Sequence, residues 1–400
     1  MDRAWAPPTR RVLLQSALTG AATTLLAGCG AVRLRSPMPV VGGVLTVGAA
    51  AADPEAGLPA QLDAVLAGLA ARQAFSGAVL VSQAGRVLLR HAYGPAGAAA
   101  TNAVQTPFHI ASLTKAFTAT AILQLRDAGQ LRLQDPPAAY LDACPPAWKA
   151  ITLQQLLLHT SGIPDYDGLP AYGPASGQHL TPAEVVGLFR DAPLDFAPGT
   201  RWAYSDSGYV LLGSIVERTS GLPYGDYLAR RVFGPLQLAH TTYDTDPDGP
   251  PGLATGYASW GSPAAYADMS VQFAAGGVSS TVDDLHRWDR ALLTGVPALA
   301  PPATVQEMFT PYVRTDPAQP KQSPSYGYAW VIARQGDHRL IWHPGNINGF
   351  VAFNGMYPDD GVAVVVLSNL ETSDVRTIGT TLGGMVLGTK PSPAVGPAPA

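Results

Sequence analysis

Phe75-Ser-Gly-Ala-Val-Leu-Val-Ser82 and Arg86-Val-Leu-Leu-Arg-His-Ala-Tyr93, with Gln83-Ala84-Gly85 between them, decide the fold. Both runs are aliphatic and β-branched, and the short glycine-containing gap predicts a hairpin. Upstream, Leu58 to Arg72 places its apolar residues at helical spacing. Downstream, the signals are helical from Ser112 to about Phe309. Thr152-Leu-Gln-Gln155 and Thr181-Pro-Ala-Glu184 are capping boxes, and Ser280-Thr281-Val-Asp-Asp284 opens a further helix with acids in its first turn. Strand-like runs return at Tyr326 to Ala333, His338 to Trp342, Phe350 to Tyr357 and Val362 to Leu367. The expectation is an α+β fold: one antiparallel sheet built from both chain ends, with flanking helices and an inserted helical region.

The chain has 400 residues, 47% hydrophobic and 14% charged, with 42 glycines and 37 prolines. That is too apolar for disorder and has no collagen-like period. The net charge is −4, and the basic residues are scattered rather than gathered in a stripe, which argues against a nucleic-acid partner. Two cysteines, Cys29 and Cys144, exclude a disulfide framework and a multi-cysteine zinc cluster. Cys144 has no nearby base in sequence and reads as a packed small side chain. No run reaches the roughly 18 uninterrupted apolar residues of a membrane span.

Residues 1–28 have the order of an export signal: Thr9-Arg10-Arg11-Val12-Leu13-Leu14 puts an arginine pair, of the twin-arginine type, ahead of an apolar run. The run closes on Leu26-Ala27-Gly28-Cys29, which resembles the lipobox of bacterial lipoproteins. Cleavage there would leave a lipidated Cys29 as the new N-terminus. The organisation expected is a signal over 1–28, a tether over 29–58, a folded domain over 59–388 and a loose tail over 389–400, with the mature protein anchored on the extracytoplasmic or periplasmic face of a bacterial envelope.

Several motifs fall away. Asp244-x-Asp246-x-Asp248-Gly249 begins like a calcium loop, but position 12 is Thr255 and Pro247 interrupts it, so a solvated turn is the better account. No histidine is followed by glutamate, no serine sits in a Gly-x-Ser-x-Gly elbow, and no lysine follows a glycine as a phosphate loop requires. What remains is Ser112-Leu113-Thr114-Lys115 at the start of a helix expected to run to Gly129. Residues three apart share a helix face, so the Ser112 hydroxyl and the Lys115 amine lie side by side. A serine hydroxyl is a weak nucleophile until a neighbour takes its proton, and a lysine amine can do so. A Ser-x-x-Lys alone is weak evidence, with about 0.2 matches expected by chance in a chain of this composition.

Three further segments follow in order: Leu156-Leu-Leu-His159-Thr-Ser-Gly162, then Tyr204-Ser-Asp206 within Pro198 to Gly213, then His343-Pro-Gly345-Asn-Ile-Asn-Gly349. Together with Ala275-Gly276-Gly277-Val-Ser-Ser-Thr, the chain resembles the serine β-lactamase-related family from about residue 60 to 372. That family includes class C β-lactamases, D-alanyl-D-alanine carboxypeptidases, D-aminopeptidases and esterases. The resemblance implies a β-lactamase/transpeptidase-like fold and a serine hydrolase. Ser112 would be acylated, Lys115 would accept its proton, Tyr204 would pass it to the leaving group, and His343 would lend positive or hydrogen-bonding character near Tyr204. The amides of Ser112 and Asn346, beside Gly345, would form the oxyanion hole. His159 reads as structural, Asp165 and Asp167 as solvent-facing, and Trp202, Trp260 and Trp342 as packing. The partner implied is a small-molecule or peptide substrate, with no cofactor and no metal.

Two positions depart from the family pattern. Asp206 stands where the family has asparagine, and a carboxylate can only accept where an amide can donate. Pro344 lacks both the hydroxyl and the N–H of the family's threonine. Both changes weaken the grips used on penicillins and on acyl-D-alanyl-D-alanine. The functions left open are a β-lactamase- or D,D-peptidase-like amide or ester hydrolase, a carboxylesterase or D-aminopeptidase of the same family, and a non-catalytic lipoprotein that binds cell-wall peptide.

Overall fold

The computed structural model describes residues 57–389 apart from Asp244 and residues 320–322. The export signal, Cys29, the tail from residue 390 and the tether up to residue 56 lie outside the described residues. Leu58, assigned above to the tether, is the first residue of helix α1 (Leu58–Ala71).

Eight antiparallel strands make the main sheet: β1 (Gly77–Gln83), β2 (Arg86–Tyr93), β3 (Val313–Arg314), β4 (Ser325–Tyr326), β5 (Val331–Gln335), β6 (His338–Ile347), β7 (Phe350–Tyr357) and β8 (Val362–Ser368). Their order is β3-β4-β5-β6-β7-β8-β1-β2, so the two chain ends meet where β1 pairs with β8, Gly77 opposite Ser368 and Gln83 opposite Val362. The β1–β2 hairpin closes through Ala84 at φ 49° and Gly85 at φ 78°, the left-handed pair that a two-residue turn of matching twist requires.

Both faces of the sheet are covered, which is why β8 is apolar throughout rather than alternating. Ala363, Val365 and Leu367 face one core, shared with α2 (Thr114–Asp127), α3 (Asp206–Ser220), α4 (Met269–Gly276) and α5 (Val282–Thr294). Val362, Val364 and Val366 face a second core under α1 and α6 (Val375–Leu387). Burying one such valine stabilises by about 1.5–3 kcal/mol.

The inserted region is helical, but it also contains a small sheet in which Val278–Ser280 pairs with Phe108–His109 and Thr242–Tyr243. Two sequence expectations change. The run Tyr326 to Ala333 is not one strand: Gly327 donates its N–H to the Trp330 carbonyl at 2.8 Å, Ala329 has φ 65°, and the chain reverses between β4 and β5. The strand begun at His338 does not stop at Trp342 but runs on to Ile347 through Pro344. It can do so because its pairing with β5 ends at Val331–Trp342, while β7 accompanies it to the end. Cys144 is half-buried against the helical core, as expected of a packing residue.

Candidate active site

Ser112 lies in a short turn, Ala111–Leu113, that leads directly into α2. Ala111 is held at φ 47°, an uncommon conformation for a residue with a Cβ, so the Ser112 hydroxyl is presented on a strained turn. One helical turn on, Lys115 is fully buried. Its Nζ donates to Ser112 Oγ at 2.9 Å and to the Ala275 carbonyl at 2.9 Å, and sits 2.7 Å from Asp206 Oδ1. Three acceptors around one nitrogen match the three hydrogens of an ammonium. The Tyr204 hydroxyl donates to Ser112 Oγ from the other side at 2.8 Å.

Each of these positions has a local cause. The Ala275 carbonyl reaches Lys115 because the segment after Met269 runs along α2. Thr118 donates to Ala274 O at 2.6 Å, Thr114 accepts from the Val278 amide at 3.1 Å, and Phe273 at φ 39°, ψ −129° turns the chain just ahead of them. Gly213 of α3 permits the approach, since a Cβ there would stand 2.2 Å from the Ala274 Cβ. Asp206 is the first residue of α3, and its own amide donates to Asp165 Oδ1 at 2.8 Å.

That bond corrects one expectation. Asp167 is exposed, but Asp165 turns inward to cap α3. Burial first, then the charges of Asp206 and Asp167, push the Asp165 carboxyl up to about 8. The folded state therefore prefers the neutral acid. Stability from this group is fully present below the ordinary carboxyl value near 4 and is lost as pH rises through about 8. Asp165→Asn keeps an acceptor for the Asp206 amide and removes the charge. Melting curves of the two proteins are expected to coincide near pH 4 and to diverge by pH 8.5, the variant more stable by about 2 kcal/mol. Parallel curves across that range would remove Asp165 from this role.

His343, 1% exposed, is also corrected. Burial first, then the Lys115 charge, hold its imidazole down to about 3, so it is neutral and brings no positive charge. Its ring centre lies 6.3 Å from that of Tyr204, and its Nε2 bonds instead to the Tyr326 hydroxyl at 3.0 Å. Tyr204 itself is held in its phenol form by burial and then by the Asp206 carboxylate. Gly345 leans on the Ser112 turn: a Cβ there would lie 2.4 Å from the Ile110 carbonyl and 3.3 Å from the Ala111 Cβ. Asn346, next along β6, is exposed. Ser112, Lys115, Tyr204 and Asp206 thus come together directly, with Gly345 and Asn346 beside the serine turn and His343 one layer behind.

His159 was read as a structural residue, and its contacts are those of one. It is buried at φ 56°, accepts the Ser205 amide on Nδ1 at 3.2 Å, and its carbonyl accepts from Ala203 N at 3.0 Å. Trp342 is packed in the second core, and Trp202 is partly buried against it. Tyr326, which joins His159 and His343, had no signal in the sequence beyond being an aromatic in a strand.

No group of three or more His, Cys, Asp or Glu among the described residues could hold a metal ion.

The profile of the beta-lactamase family matches residues 62–382. Among solved structures, the octameric penicillin-binding protein homologue from Pyrococcus abyssi is 25% identical, with a TM-score of 0.74 over 84% of this chain and 78% of that one. A penicillin binding protein from Bacillus halodurans is 28% identical, with a TM-score of 0.71 over 80% of this chain and 98% of that one. A D-stereospecific amidohydrolase from Streptomyces sp. is 28% identical, with a TM-score of 0.67 over 80% of this chain and 96% of that one.

Proposed function

The chain belongs to the beta-lactamase family, and from that membership we propose that it is an exported serine hydrolase that cleaves an amide or ester through a Ser112 acyl-enzyme. One observation carries the proposal: Ser112 Oγ is flanked at 2.9 Å by Lys115 Nζ and at 2.8 Å by Tyr204 Oη, two groups able to move its proton.

The reactive form of Lys115 is the free amine, whose lone pair can receive the Ser112 proton. Ser112 Oγ then attacks the substrate carbonyl carbon, its proton passes to Lys115, and Tyr204 delivers a proton to the departing amine or alkoxide. The acyl-enzyme ester is opened by a water molecule that loses its proton along the same path in reverse. The oxyanion is held by the Ser112 and Asn346 amides, each worth about 3 kcal/mol in the transition state. Pro344 supports the assignment of Asn346. A proline within a strand must turn its nitrogen to the side without a partner, here the edge left open beyond Trp342. Strand period then puts the Asn346 amide on that same edge.

Two departures set the substrate class. Asp206 places a carboxylate where the family has an amide, and Pro344 offers neither hydroxyl nor N–H to a substrate carboxylate. An acidic site of this kind repels the carboxylate of a penicillin and attracts an ammonium, which favours free-amine amides, such as amides of D-amino acids, or neutral esters. The likeness to a D-stereospecific amidohydrolase points the same way. Labelling with a fluorescent phosphonate and mapping the adduct to Ser112 tests the enzyme against a non-catalytic peptide binder. A panel of D-amino-acid p-nitroanilides, p-nitrophenyl esters and a chromogenic cephalosporin tests the substrate.

Asp206→Asn gives a sharper result. After burial, the Asp206 charge is the next largest force keeping Tyr204 protonated. Removing it eases proton loss from the accepting groups, so the acidic limb of kcat/KM is expected to move to lower pH, with cephalosporin acylation rising relative to an amine-bearing substrate. An unchanged limb with an unchanged substrate ratio would refute this role.

Residues 1–29 supply the reading of location. Wild type is expected to partition with membranes and Cys29→Ser to be released or left unprocessed, as fractionation and N-terminal sequencing would show. A wholly soluble wild type with its N-terminus elsewhere would end that reading.

A further inference from the structure

Behind Ser112 the buried polar atoms of His159, Tyr326 and His343 meet end to end. His159 Nδ1 accepts the Ser205 amide at 3.2 Å, so this nitrogen carries the lone pair and Nε2 carries the hydrogen. Nε2 lies 3.1 Å from the Tyr326 hydroxyl. At the far end, His343 Nδ1 lies 2.7 Å from the Pro344 carbonyl, which can only accept, so Nδ1 carries the hydrogen and Nε2 the lone pair. That lone pair is 3.0 Å from the same Tyr326 hydroxyl. Tyr326 therefore accepts from His159 and donates to His343. The neighbouring Tyr209 donates its own hydroxyl hydrogen to the Leu157 carbonyl at 2.9 Å, so towards Tyr326 it can act only as a second acceptor beside His343 Nε2.

All four links run one way, from the Ser205 amide to the Pro344 carbonyl. The two ends matter: Ser205 follows Tyr204, and Pro344 precedes Gly345 and Asn346. We propose that His159 and Tyr326 are positioning residues for the Ser112 reaction, joined with His343 in one directed hydrogen-bond chain that fixes the backbone behind Tyr204 against the strand carrying Asn346. This rests on the serine hydrolase reading. Burial, with Lys115 as the next influence, disfavours the charged form of both imidazoles, so the chain holds its geometry without adding a cation to the site. The three side chains come from the turn after Leu153–Leu157, from β4 and from β6, and they link the Tyr204 loop to the oxyanion strand without touching the substrate.

The test compares Tyr326→Phe with Tyr357→Phe. Tyr357 donates a buried bond of similar kind to Gln335 Oε1 at 2.7 Å in the same sheet, away from Ser112. Tyr326→Phe is expected to lower kcat on a p-nitrophenyl ester by about 10- to 100-fold, with KM changed by less than about threefold, and to slow phosphonate labelling to match. Tyr357→Phe is expected to lower the melting temperature comparably and leave kcat unchanged. Wild-type kcat in Tyr326→Phe, or an equal loss in Tyr357→Phe, overturns the proposal. Imidazole nitrogen spectra provide a readout independent of activity: His159 should carry hydrogen on Nε2 and His343 on Nδ1 at pH 7, and both signals should change in Tyr326→Phe. The opposite tautomers overturn the chain. A wild type that neither labels nor turns over would count against the hydrolase reading, while these spectra would still decide the chain.

Discussion

Lys115→Ala is expected to lower kcat/KM by three orders of magnitude or more, and Ser112→Ala to do the same, with the double variant no worse than either alone. The two residues act on one proton, so their losses do not add. The lysine variant also has a cost in stability. Lys115 is fully buried, and its removal leaves the Asp206 carboxylate, 15% exposed, without its cation. Breaking a buried pair from one side costs about 3–5 kcal/mol. Adding Asp206→Asn to Lys115→Ala should therefore restore most of the melting temperature and none of the turnover. Steady-state kinetics with thermal melts on the three proteins separates chemistry from folding. If Ser112→Ala kept more than a few per cent of wild-type activity, the nucleophile would have to be reassigned.

Gly345→Ala is the second large effect. The added methyl would meet the Ile110 carbonyl at 2.4 Å, and that oxygen belongs to the backbone that sets Ser112, so it cannot swing aside as a flexible side chain would. Either β6 moves away from the serine turn or the turn moves, and in both cases the amides of Ser112 and Asn346 separate. Overpacking of this kind costs about 1–3 kcal/mol in stability. The loss in kcat is expected to be about 100-fold or more, because misplacing one oxyanion donor alone is worth that much. A variant that folds, keeps its kcat and still labels at the wild-type rate would show that the close approach of β6 has no part in catalysis.

Much of the frame was legible because its signals are local. Phe350 to Tyr357 and Val362 to Leu367 are apolar runs between turn residues, and the structure returns them with one residue added at Ser368. Both threonine capping boxes close as written, at Thr152–Gln155 and Thr181–Glu184. The geometry that brings Ser112 and Lys115 together needed only the helical period. Other features depended on partners far away in sequence. Asp165 was read as solvated because a lone aspartate in a loop usually is; what turns it inward is the free amide at the start of α3, 41 positions later. His343 carries the expectation of positive or hydrogen-bonding character; burial withdraws the charge and leaves the hydrogen bonds, and burial of a single ring cannot be read from three residues of sequence. The reversal at Gly327 was missed because the apolar run on either side of it outweighed one glycine. Tyr326 has no spacing signature at all, since its importance comes from two histidines that the chain delivers from opposite directions.

The pairing of β1 with β8 has a consequence for how the protein is made. Gly77 waits for Ser368, which is 291 positions further along the chain. At roughly 5–20 residues per second of synthesis, the hairpin spends on the order of 15–60 s outside the ribosome with one apolar edge open. The serine turn is also complete long before Gly345 arrives to lean on it. A nascent or prematurely terminated chain thus carries the Ser112 turn without β6, the strand that leans on it in the finished fold. During that interval the open edge of β1 is the segment most exposed to wrong pairing, so the yield of folded protein should depend more on chaperones that shield it than on the stability of the finished fold.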